Sequence, residues 1–206
     1  MKQKAPFIFW WQIRITLTRI AILFCAVIGP VLSMSSCQVL RRASGYEQEW
    51  KYSLKKRKLH ISCRGDESWP AVIMPLPMRV SGESLDALFS SLDELLGTPY
   101  RPGGSAPDGF DCSGLVQYLY KQQFLMILPR TAEELALLGS VVPERTQRRG
   151  DLVFFSIDGQ KIDHVGIFLG KNRFAHSANN GVRIDNLLYT YYRSRYAFSS
   201  RLITVD

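Results

Sequence analysis

Residues 164–178, HVGIFLGKNRFAHSA, carry two histidines on either side of a Gly-Lys-Asn turn signal. Strand-like runs flank that signal and predict two adjacent strands, 164–170 and 173–178. Their register decides what the histidines can do. If Leu169, Gly170 and Lys171 form a three-residue loop, paired positions sum to 340 and His164 faces His176. Their Cβ atoms would then lie about 5 Å apart on one side of the sheet. A two-residue loop gives a sum of 341 and sends the histidines to opposite faces. A two-histidine site therefore requires an odd loop or a bulge. His164, Gly166 and Phe168 share one face, with Gly166 leaving room beside His164.

Outward from the hairpin, DLVFF at 151–155 and VRI at 182–184 also read as short strands. The first half of the chain has the helical period instead. Leu85, Leu88, Phe89, Leu92, Leu95 and Leu96 recur at amphipathic spacing, with Ser84 able to cap the start and Gly97 the end. A Gly/Pro-rich loop follows, then GFDCSGLVQYLY at 109–120, with Leu115, Val116, Leu119 and Tyr120 on one helical face. Helices first and strands after predict an α+β fold, helices packed on a small antiparallel sheet. Cys112 falls at the start of a helix.

Three readings of Cys112 stand open at this point: buried thiol, half of a disulfide, nucleophile. A helix N-terminus favours the thiolate, and the same turn offers backbone N–H groups to an oxyanion. Asp111 suits the cap of that helix. A nucleophile needs a base and the base an orienting group. His164 and His176 are the two histidines available after residue 80. Cys112, His164 and His176 could alternatively ligate zinc, but no close-spaced ligand pair supports a metal site.

The 206 residues carry a formal charge of +8, unevenly spread. Residues 1–36 hold Lys2, Lys4, Arg14 and Arg19 and no acid. The remaining surplus is mild and accompanies no nucleic-acid motif, so no nucleic-acid partner is expected. Basic residues, an apolar stretch from Ile20 to Ile28, a Gly-Pro break and small residues follow the order of a secretory signal. That stretch is well short of the roughly 20 residues of a spanning helix. The competing reading is an uncleaved anchor, disfavoured by two arginines within the span. Residues 38–80 have no clear period. Lys55–Lys58 read as a solvated linker, with contact to anionic lipid or wall polymer as the alternative. Pro70, Pro75 and Pro77 read as extended chain.

Two resemblances add to this. MSSC at 34–37 resembles a bacterial lipoprotein processing box, which implies lipidation of Cys37, and Gln38 suits sorting to the outer membrane, facing the periplasm. Residues 84–206 resemble the NlpC family of bacterial cell-wall cysteine peptidases, a papain-like group. GTPYRPGG…DCSGLVQ, LPR, RGDLVFF and HVGIFLG…FAHSA carry the likeness. Pro102 and Arg149 depart from the usual aromatic and proline. The resemblance implies Cys112 as nucleophile, His164 as base and later acid, His176 as the residue orienting His164, and Tyr100 as oxyanion or site support. Asp111 and Ser113 flank the nucleophile as possible cleft residues. It implies a substrate, peptidoglycan stem peptides, and no cofactor. The expected organisation is a signal at 1–36, a lipidated Cys37 with a tether to 80, and a catalytic domain at 81–206. An inactive wall-binding lipoprotein and an acyltransferase remain the alternative functions.

Overall fold

The computed structural model describes residues 57–65 and 70–205. Cys37, the signal and the first part of the expected tether lie outside them. Three strands open the described chain: β1 (His60–Cys63), β2 (Val72–Pro75) and β3 (Met78–Val80). β1 and β2 pair antiparallel.

Helix α1 (Gly82–Glu94) buries Leu88, Phe89 and Leu92. Its cap is Ser81, whose hydroxyl accepts from the Ser84 amide at 3.1 Å. Ser84 thus supplies the amide that is capped and is not itself the cap. Gly97, with φ +85, lies just past the end of the helix.

A two-strand ribbon, β4 (Ser105–Ala106) and β5 (Gly109–Phe110), leads into α2 (Cys112–Phe124). Leu115, Val116, Leu119 and Tyr120 are fully buried on the face expected from their spacing. Each large apolar side chain so buried contributes about 1.5–3 kcal/mol. The Tyr120 hydroxyl donates to the Gly150 carbonyl and ties α2 to the turn before the sheet. A one-turn helix, α3 (Ala132–Leu135), starts with a capping box between Thr131 and Glu134.

The strands that follow are β6 (Ser140–Val142), β7 (Leu152–Phe155), β8 (His164–Gly170), β9 (Arg173–Ala178) and β10 (Gly181–Asn186). A short helix, α4 (Thr190–Arg193), precedes β11 (Tyr196–Arg201) and β12 (Ile203–Val205). Six strands form an antiparallel sheet in the order β10-β9-β8-β7-β11-β6. Leu152, Phe154, Val165, Ile167, Ala175 and Val182 pack with the helices. Val153, Phe155, Phe168, Phe174 and Leu187 form a second apolar layer.

The tether reading of 37–80 needs correction from residue 57 onward. β3 pairs in parallel with β12. The Arg57 guanidinium donates to the carbonyls of Ala136, Leu138 and Gly139. Lys58 bridges to Leu138. Pro75 ends β2 and Pro77 lies in the bend between β2 and β3, so the proline-rich segment is used as paired strand and turn. Short strands that pair with distant chain show no period of their own. Among the described residues, no helix is long and apolar enough to cross a membrane.

Candidate active site

The hairpin that carries the histidines turns through Lys171 and Asn172, both left-handed at φ +51 and +57. Such a two-residue turn matches the twist of the strands it joins. It pairs Gly170 with Arg173, and a bulge beyond Gly170 then moves the register, so that Phe168 faces Phe174 and Ile167 faces Ala175. Paired positions sum to 342 there, not 340. The loop is even, and the bulge restores the parity that a shared face requires. His176 lies across from Gly166, and His164 is its diagonal neighbour. The space that Gly166 leaves is therefore filled from within the sheet. A Cβ on Gly166 would stand 2.7 Å from the Ala175 carbonyl and 3.3 Å from the His176 Cβ.

The two imidazoles meet edge to face, with centroids 5.0 Å apart and planes at 89°. His164 Nε2 and His176 Nδ1 are 2.8 Å apart. That contact uses one nitrogen of each ring, which argues against both serving one metal ion. Among the described residues, no group of three or more His, Cys, Asp or Glu is arranged to hold a metal. Phe155, Phe174 and Tyr192 surround the pair, their centroids 4.8–5.9 Å from one imidazole or the other. Burial and the neighbouring His176 push His164 down to about 3. Burial also lowers His176, outweighing its bond to Asp185. Both rings are neutral at pH 7.

Cys112 is the first residue of α2, and its Sγ lies 3.9 Å from the Asp163 carbonyl, directly before His164. Burial raises the thiol above its ordinary value. The Val165 N–H opposes this, the Asp111 charge adds to it, and the N–H groups of Ser113 and Cys112 oppose it again. The resting pair is thus a neutral thiol and a neutral imidazole. Cys63 and Cys112 are both free thiols. Among the described residues Cys112 takes part in no disulfide.

Asp111 caps α2, accepting from the Gly114 amide at 2.7 Å. Its second oxygen takes the Gly103 amide at 3.0 Å. Arg130, from the LPR segment, bonds both carboxylate oxygens and reaches the Ser113 hydroxyl at 2.9 Å. These bonds hold Asp111 below the ordinary carboxylate value although burial pushes it up. Asp111 and Ser113 were candidates for the cleft, and here the structure differs. Ser113 is buried, and the polar atoms of both residues are engaged inside the fold. They brace the helix start that holds Cys112.

Tyr100 bridges to Phe110 and is 38% exposed. Partial burial raises its phenol, and the adjacent Cys112 and Asp111 raise it further against the pull of Arg130. Tyr100 therefore stands on the Cys112 side of the site.

Two participants escape a reading by motif. Arg130 sits in a segment whose likeness was visible without its ion pair. Asp185, on β10, bonds His176 Nε2 at 3.0 Å. Strand alternation carried one residue past VRI would have put Asp185 on the Arg183 face, and Arg183 pairs with His176.

A model of the NlpC/P60 family matches residues 97–201. The chain is 41% identical over 122 residues to murein DD-endopeptidase MepH of Escherichia coli K12, covering 56% of this chain and 45% of that protein. It is 40% identical over 109 residues to murein DD-endopeptidase MepS/murein LD-carboxypeptidase of the same strain, covering 52% and 57%. It spans about half the length of the curated relatives it matches. Among solved structures, an NlpC/P60 family protein from Bacillus cereus ATCC 10987 aligns with a TM-score of 0.56 and 28% identity, covering 65% of this chain and 45% of that one.

Proposed function

This chain belongs to the NlpC/P60 family, and from that membership we propose that it is a cysteine endopeptidase cutting amide bonds in peptidoglycan stem peptides. The observation that supports the reading is a thiol at a helix start, 3.9 Å from the carbonyl of the residue before His164, together with a second imidazole bonded to that of His164. The names of the relatives, murein endopeptidases, supply the substrate class.

The reaction follows from these groups. Cys112 Sγ attacks the scissile carbonyl carbon as its proton passes to His164. The S–C bond forms, and the oxyanion takes hydrogen bonds from backbone N–H at the start of α2, with Tyr100 beside it. His164 then returns the proton to the departing amine as the C–N bond breaks. Water, activated by His164, hydrolyses the thioester and restores the thiol. His176 keeps the ring of His164 in line.

The envelope is the place for such an enzyme. In this reading the N-terminal segment through residue 36 is removed as a signal, Cys37 carries the lipid, and the catalytic domain faces the periplasm. The features in support are the acid-free basic start, the short apolar run and the MSSC box.

Full-length protein purified in detergent, incubated with muropeptides and read by mass spectrometry, should release stem-peptide fragments. Cys112→Ala should release none. No fragments from the unaltered protein would sink the hydrolase reading, and equal fragments from both would remove Cys112 as nucleophile. Cys37→Ala should abolish incorporation of labelled palmitate, and unchanged labelling would refute the anchor.

A further inference from the structure

The reaction above makes no use of Asp185, yet three side chains donate to it. It is 6% exposed on β10. At Oδ2 it takes His176 Nε2 at 3.0 Å and the Tyr192 hydroxyl at 2.7 Å. At Oδ1 it takes Arg183 Nη2 at 2.6 Å. Burial alone would raise this carboxyl, but the bonds from Tyr192, His176 and Arg183 hold it below its ordinary value. It is ionised at neutral pH, and an ionised carboxylate only accepts.

The protons on both histidines follow in sequence. Asp185 has none to give, so His176 donates through Nε2. A neutral imidazole carries one N–H, so Nδ1 of His176 is a lone pair. The 2.8 Å contact is then a hydrogen bond donated by His164 Nε2. The single proton of His164 sits on Nε2, and its Nδ1 is bare. We propose that Asp185, held by Tyr192 and Arg183, is a positioning residue that sets the tautomers of both histidines and leaves His164 Nδ1 as the acceptor of the Cys112 proton. This inference rests on the peptidase reading for its consequence in catalysis, but not for its geometry.

The need arises because the orienting residue is itself a histidine. An imidazole accepts at Nδ1 in one neutral tautomer and donates there in the other. Without Asp185, His176 could present Nδ1–H to His164 Nε2. His164 would then carry its proton on Nδ1 and could not take another from the thiol. With Asp185 in place, no proton travels along the chain of bonds. When Cys112 gives its proton to Nδ1, His164 becomes positive, and the carboxylate lies two hydrogen bonds away to stabilise that charge.

Nitrogen NMR of histidine-labelled full-length protein at pH 7.5 tests this directly. Both His164 and His176 should be protonated at Nε2 and bare at Nδ1. A wild-type spectrum with His164 protonated at Nδ1 overturns the proposal, whatever the activity. Asp185→Ala should populate the Nδ1–H tautomer of His164 and lower kcat about tenfold or more, with KM changed far less. Should that variant fold poorly, the wild-type spectrum still decides. A double-mutant cycle separates positioning from bulk structural support. In a His176→Asn background the orienting oxygen has no tautomer to set, so Asp185→Ala should cost at least fivefold less in kcat than with His176 present, about twofold at most. Equal losses in both backgrounds overturn the proposal. Correct tautomers in a protein that cuts no muropeptide would refute the peptidase reading and leave the assignment of Asp185 standing.

Discussion

Arg130 grips Asp111 through two nitrogens and also holds Ser113, so the guanidinium fixes the cap of the helix that begins with Cys112. Arg130→Met removes those donors and leaves Asp111 with the amides of Gly103 and Gly114 and the Ser113 hydroxyl. A loss of about 1–3 kcal/mol in urea unfolding is expected, the range for hydrogen bonds to charged groups. His164 gives a prediction in pH. Its folded value near 3 lies below the ordinary 6.5, so between those values the unfolded chain binds a proton that the fold refuses. Stability therefore rises with pH through that window and is complete above it. Between pH 7.5 and pH 5 the wild type should lose more stability than His164→Gln, and equal losses would contradict the depressed value. At this scale the sequence was readable where chemistry is local. Cys112, His164 and Asp111 as a cap follow from residue type and neighbours. Arg130 and Asp185 act through contacts 19 and 9 residues away; strand alternation gives the face of Asp185 but not its partner, and nothing near Arg130 gives either.

The β8–β9 hairpin shows what a strand pair hides. Composition marked both strands and the turn between them. It could not tell a three-residue loop from a two-residue turn with a bulge, because both keep the histidines on one face. Parity was legible and register was not: the bulge depends on Gly170 adopting φ +85 beside Lys171 and Asn172. The diagonal placement has a consequence at Gly166. Gly166→Ala drives a methyl to 2.7 Å from backbone at Ala175 and against His176. Overpacking of this kind costs about 1–3 kcal/mol. The variant should melt earlier than wild type and lose activity beyond what reduced folding explains, because His176 must shift. Unchanged melting and activity would show that the hairpin yields freely at this point.

For the whole molecule, the helix-then-strand order was enough to give the α+β class, and the core face of α2 was visible in its spacing. Residues 57–80 were not legible as part of the domain. Strands as brief as β1, β2 and β3 find partners such as β12 far along the chain. A chain beginning at residue 81 should therefore unfold at lower urea than one beginning at residue 53, since it lacks the Arg57 contacts and the partner of β12. Equal midpoints would restore the tether reading. The order of the central sheet also sets a timetable for synthesis. β11 fills the gap between β7 and β6, although it is made after both and after β8, β9 and β10. Until residues 196–201 emerge, β7 presents an open edge and β6 has no neighbour. The last of the described strands, β12, then closes onto one of the first, β3. A growing chain cannot complete this sheet early, so assembly of the sheet around the site waits until residues 196–205 have been made.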